Sequence, residues 1–103
     1  MKADKIIAGV EAIERVLSEH HGGEADELAK REVLGLVATV RSAGGAEDED
    51  IRGSLASIEE YAAILYSARR HRRHPGGASQ VRVWMLGDLL DIRSRVEYLA
   101  GTQ

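Results

Sequence analysis

Three Gly-Gly pairs, Gly22-Gly23, Gly44-Gly45 and Gly76-Gly77, cut this chain of 103 residues into four segments, and the last pair follows its only proline, Pro75. Glycine enters the left-handed backbone conformation at helix ends without steric penalty, so paired glycines between periodic segments punctuate helices. Each segment carries apolar residues at helical spacing. Ile6, Val10, Ile13 and Leu17 define a helix over about 4-20, with Asp4 as N-cap and Gly22 just past its end. Val33, Leu36, Val37 and Val40, extended by Leu28 and Ala29, define a second over 24-43. Ile51, Leu55, Ile58, Ala62 and Leu65 form the cleanest stripe, giving a third over 48-73 behind the acidic run Glu47 to Asp50. Met85, Leu89, Ile92, Val96 and Leu99 give a fourth over 79-100 with Ser79 as N-cap.

Short links place successive helices side by side in opposite directions. The expected fold is therefore a single all-α domain, an antiparallel up-down-up-down four-helix bundle. Only Gln80 to Trp84 reads as a strand, and it has no second run to pair with. Each helix also holds an interior glycine: Gly9, Gly35, Gly53 and Gly87. The last three fall opposite their helix's apolar stripe, which makes them poor candidates for close packing inside one bundle.

Composition narrows the chemistry. The chain has no cysteine, which removes disulfides, thiolate metal sites and thiol nucleophiles and fits a cytoplasmic setting. There is no apolar run long enough for a signal peptide or membrane span. A net charge of −3 argues against general nucleic-acid binding. Phosphate-loop, dinucleotide-binding and nucleophile-elbow patterns are all missing, so neither an enzyme nor a cofactor is expected. Asp88 and Asp91 read as solvated carboxylates or as ion-pair partners of Arg82 and Arg95.

Topology gathers the remaining charge. In an up-down bundle the first and third links share an end, which brings His20 and His21 to Arg69, Arg70, His71, Arg72, Arg73 and His74. Three readings compete there. Glu19, Glu24, Asp26 and Glu27 could pair with the arginines, the arginines could capture an anion or phosphate backbone, or His20, His71 and His74 could approach a metal. The metal reading is the weakest, because four arginines repel a cation, and no metal site is assigned. The opposite end is acidic.

Helix four carries more apolar surface than one face can bury. Besides Val81, Met85 and Leu89 it presents Val83, Leu86 and Leu90, with Trp84 on the flank and Gly87 beside the second face. Tyr61, Ile64, Tyr66 and Tyr98 add candidates for the same surface. The expected function is a non-enzymatic interaction protein that forms a homo-oligomer, a dimer through helix four, or binds another protein. The alternative is anion binding by Arg69, Arg70, Arg72, Arg73 and His74.

Overall fold

The computed structural model describes residues 1–101. They form four α-helices, α1 (Ala3–Glu19), α2 (Glu27–Ser42), α3 (Glu49–Leu65) and α4 (Gly77–Gly101), with short 3-10 turns at Gly45–Glu47 and Arg70–Arg73. No strand occurs among the described residues, and the Gln80 to Trp84 stretch is helical. Successive helices pack against one another, and α1 closes the ring on α4, giving the four-helix bundle the periodicity predicts.

The stripes form the core. Ile6, Val10, Ile13, Leu17, Val33, Val37, Ile51, Leu55, Ile58, Leu65, Met85, Leu89 and Ile92 are all essentially inaccessible. At about 25 cal/mol per Å² of apolar surface removed from water, this burial is the main force holding the helices together. Leu28 is an exception to the expected α2 stripe and faces solvent, whereas the adjacent Ala29 is buried.

Helix ends depart from the sequence expectation for local reasons. The N-cap of α1 is Lys2 rather than Asp4, which lies in the first turn, and α1 leaves through an extended His20. Helix α2 starts three residues later than expected because Asp26 Oδ1 accepts the Ala29 N–H at 3.1 Å, a side-chain N-cap. Helix α4 begins at Gly77, which puts Ser79 inside it.

The largest correction is α3, which stops at Leu65 rather than continuing to residue 73. A continuing helix would need the Leu65 and Tyr66 carbonyls to accept from N–H groups four residues on. Instead Gly23 N–H donates to Leu65 O at 2.9 Å and Asp26 N–H to Tyr66 O at 3.0 Å. Ser67 Oγ adds a bond to Ile64 O at 2.6 Å and accepts the Arg70 N–H at 2.9 Å. The first link thus terminates the third helix, and Arg69 lies exposed in the following turn, off the α3 stripe.

These bonds also confirm which ends meet. The α1–α2 and α3–α4 links lie together, with Tyr66 O–H donating to His20 O at 2.8 Å across them. Burial, reinforced by the Asp26 charge, pushes the Tyr66 hydroxyl up to about 12. At the other end Lys2 N–H donates to Ala43 O at 2.8 Å, and the Met1 amino group lies 3.5 Å from Glu47.

The interior glycines divide into two kinds. Gly9 is buried at the α1–α2 crossing, where an added Cβ would sit 2.5 Å from Val40 Cγ2. Gly35, Gly53 and Gly87 face open space. Gly9→Ala is therefore expected to destabilise the fold by about 1–2 kcal/mol through overpacking. Gly35→Ala should stabilise it by about 0.5–1 kcal/mol, since only the helix-propensity gain remains. Urea unfolding of both variants checks the opposite signs, and two changes of the same sign would refute the distinction.

Candidate functional site

Helix α4 presents apolar residues all round its axis, and the structure sorts them into three sets. Val81, Met85, Leu89, Ile92 and Val96 enter the core. Leu86 is half-buried and packs on that core, so it does not join the exposed set as expected. Val83, Leu90 and Tyr98 are 56%, 61% and 61% exposed. With the exposed Gly87 and Ser94 they recur at steps of four, three, four and four, which draws one seam along the outward side of the helix. The Arg95 guanidinium lies 5.2 Å from the Tyr98 ring centroid, near the C-terminal end of this seam.

Two further residues expected on that surface are not there. Ile64 is buried in the core at 9% exposure, and Tyr66 is buried with its hydroxyl engaged across the links. Trp84 and Tyr61 lie to one side of the seam, in the cleft between α3 and α4. Their rings are tilted at 42° with centroids 5.6 Å apart, and His74 joins them edge-on, 4.8 Å from Trp84 and 6.0 Å from Tyr61. Three aromatic rings from α3, the third link and α4 thus form one cluster. Helical spacing could not reveal it, because Tyr61 and His74 come from outside α4.

Below the aromatic rings an open groove of about 460 Å³ continues past Ser57 and Gly87 to Asp88 and Asp91, with Val83 also lining it. The expected partners of these carboxylates are engaged elsewhere. Arg95 turns to Asp48 at 3.1 Å and Asp50 at 3.5 Å, and the Arg82 side chain donates to Leu17 O at 3.1 Å. Asp88 Oδ2 is buried without a hydrogen-bond partner. Burial pushes the Asp88 carboxyl above the usual carboxylate range; the Ser57 hydroxyl opposes this and the Asp91 charge adds to it.

The basic end also differs from its simplest expectation. Arg69, Arg70, Arg72 and Arg73 are exposed, and among the described residues none forms an ion pair. Two of the acids expected to neutralise them, Asp26 and Glu27, have other roles, and Glu19 and Glu24 form no ion pair with them. Asp26 caps α2 and receives His20 Nδ1 at 2.9 Å, and Glu27 holds Lys30 and Arg31. His71 is 6% exposed with an unpartnered Nδ1, so it anchors the 3-10 turn to the bundle and leaves the arginines outside. The histidines do not converge as a ligand set, and the described residues hold no group of three or more His, Asp or Glu able to hold a metal ion.

No described helix is long and apolar enough to cross a membrane. No family model, curated protein or solved structure matches this chain.

Proposed function

We propose that this chain is a non-enzymatic interaction protein that self-associates as a dimer through the outward seam of α4. The observation that carries this reading is the seam itself: Val83 and Leu90 lie more than half exposed on either side of Gly87, whose added Cβ would meet nothing within 4 Å. Exposed apolar residues at coiled-coil-like spacing around a small residue suit the close approach of another helix. A bundle face of 45 by 24 Å accommodates the roughly 800 Å² per partner that a stable dimer buries.

Charge selects both occupant and orientation. The Arg69-to-Arg73 end is basic and bare, while Glu47, Glu49 and Asp50 stand at the other end. A second copy running antiparallel sets each basic end over its partner's acidic end, whereas a parallel copy opposes like charges. Val83→Asp combined with Leu90→Asp is expected to weaken association at least about 100-fold by burying unpaired charge in the seam. Sedimentation should show the wild type at twice the mass of the variant, with the dimer weakened as salt rises. A wild-type protein at monomer mass in low and high salt would overturn the reading.

The four unpaired arginines favour a second reading, capture of a phosphate-bearing anion at the basic end. Binding of inorganic phosphate that falls with salt and is lost in Arg72→Ala and Arg73→Ala would support it, whereas a dimer held by the seam survives both substitutions and is weakened only through the lost charge at its ends.

A further inference from the structure

The α3–α4 cleft has a chemistry of its own, although it borders the outward seam and shares Val83 and Gly87 with it. Its walls are Trp84 and Tyr61, its floor runs over Ser57 and Gly87, and its polar end is Asp88 and Asp91. Aromatic faces carry negative electrostatic potential and attract cations. Two carboxylates without a basic partner extend the same preference, since Arg95 is drawn to Asp48 and Asp50 and Arg82 to the Leu17 carbonyl. A buried acceptor left without a donor is costly, and Asp88 Oδ2 is such an acceptor.

We propose that this cleft binds a small organic cation, an alkylammonium or guanidinium group, with its charge against Asp88 and Asp91 and its apolar body against Trp84 and Tyr61. Anions are repelled by the carboxylates, and a neutral apolar guest leaves both carboxylate charges uncompensated. A bare metal ion finds two carboxylates and no third ligand among the described residues, whereas an organic cation uses the aromatic wall as well. The N–H groups of such a ligand meet the exposed Asp91 carboxylate, and its charge balances that of the half-buried Asp88 beside it. Burial already holds the Asp88 carboxyl above its ordinary range, with Ser57 opposing and Asp91 reinforcing, and a neighbouring positive charge reverses that shift. The site goes beyond self-association and does not require it.

Trp84 is the chain's only tryptophan, so its fluorescence reports this cleft alone. Titration with n-butylammonium chloride is expected to shift that emission with a dissociation constant of about a millimolar, the range suited to a ligand of so few atoms. Sodium chloride at equal ionic strength and the neutral isostere n-butanol should not reproduce the shift. Asp88→Asn, matched in volume, should weaken binding at least about tenfold while circular dichroism stays unchanged. Leu90→Ser, which lies outside the cleft but on the seam, should leave it intact, so a failure of dimerisation and a failure of this site read out separately.

Two arms identify the source of the cation. Tighter binding of spermidine than of a capped lysine tripeptide assigns a free amine, and the reverse order assigns a side chain of another protein. An indole N–H resonance of Trp84 indifferent to all three amines, or an equal response in wild type and Asp88→Asn, would overturn the proposal.

Discussion

Gly22→Ala is expected to cost the bundle about 3 kcal/mol and to lower its melting temperature by more than about 10 °C. Two costs add. Gly22 has φ +83°, a left-handed conformation that penalises an L side chain by about 1–2 kcal/mol. A Cβ at this position would also stand 2.3 Å from Cδ1 and Cγ of Leu65, a fully buried residue with little room to move, and overpacking of that kind costs a further 1–3 kcal/mol or so. Gly23 provides the control, because it has nearly the same φ, +82°, while its added Cβ meets only Ala78 Cβ at 3.3 Å. Gly23→Ala should therefore show the backbone cost almost alone. Equal melting temperatures for the two variants would mean that contact with Leu65 contributes nothing. The position matters beyond stability, since this link ends α3 and leaves the Arg69-to-Arg73 segment outside the helix.

The apolar periodicity and the glycine pairs carried most of the fold. Ile6, Val10, Ile13 and Leu17, the stripe from Ile51 to Leu65, and the stripe from Met85 to Val96 all enter the core. The pairing of the first and third links followed from up-down connectivity and is borne out by the Gly23, Asp26 and Tyr66 hydrogen bonds. The end of α3 was not legible, because residues 66 to 73 contain no glycine or proline and a single serine, Ser67, is a weak local signal. The determinant is a pair of N–H groups some forty residues earlier in the chain, which take the carbonyls that a longer helix would use. Ile64 was misplaced for a related reason. Its angle on an isolated helix does not say how far the neighbouring helices wrap around it, and here they wrap far enough to bury it.

The candidate sites were legible in part. Excess apolar residues on α4 were visible, but the separation of Val83 and Leu90 on the outward seam from Trp84 in the α3–α4 cleft depends on where α3 lies. The cleft carboxylates were visible as a pair three residues apart. Their lack of partners was hidden, because Arg95 stands four residues after Asp91 on the same helix and still turns to α3. That choice is a tertiary effect, and Asp48 makes it.

Asp48→Ala should be the second costly substitution, at about 2–3 kcal/mol, because one carboxylate performs two tasks. Its Oδ2 accepts the Ile51 N–H at 3.1 Å and caps α3, which is worth about 1 kcal/mol. Its two oxygens also receive Arg95 Nε and Nη2 at 3.1–3.2 Å, with only 14% of the Asp48 side chain exposed, and a charged hydrogen bond of this kind contributes about 1.5 kcal/mol or more. Asp48→Asn keeps the cap and loses most of the ionic part, so its cost should fall between wild type and alanine. The pH dependence has a definite sign. The Arg95 hydrogen bond, with help from the Ile51 N–H, holds the Asp48 carboxyl below its ordinary value of 3.8, so the folded state releases this proton more readily than the unfolded chain. The resulting stability is present above that ordinary value and is lost as pH falls through the lower folded one. Glu59, held down by Arg41, acts in the same direction, while Asp88, pushed up by burial, acts against it. Urea midpoints measured from pH 7 to pH 3 should fall less steeply in Asp48→Asn than in wild type, and parallel curves would remove Asp48 from the acid response. Adding Asp50→Ala carries the effect to the cleft. With both of its carboxylate partners removed, Arg95 has Asp91 one helical turn away on α4, and an Arg95–Asp91 pair supplies the positive charge proposed to come from a ligand. Asp48→Ala combined with Asp50→Ala should therefore weaken n-butylammonium binding at Trp84, at a site neither residue touches. Unchanged binding in the double variant would show that Arg95 stays away from Asp91 for some reason other than these two partners.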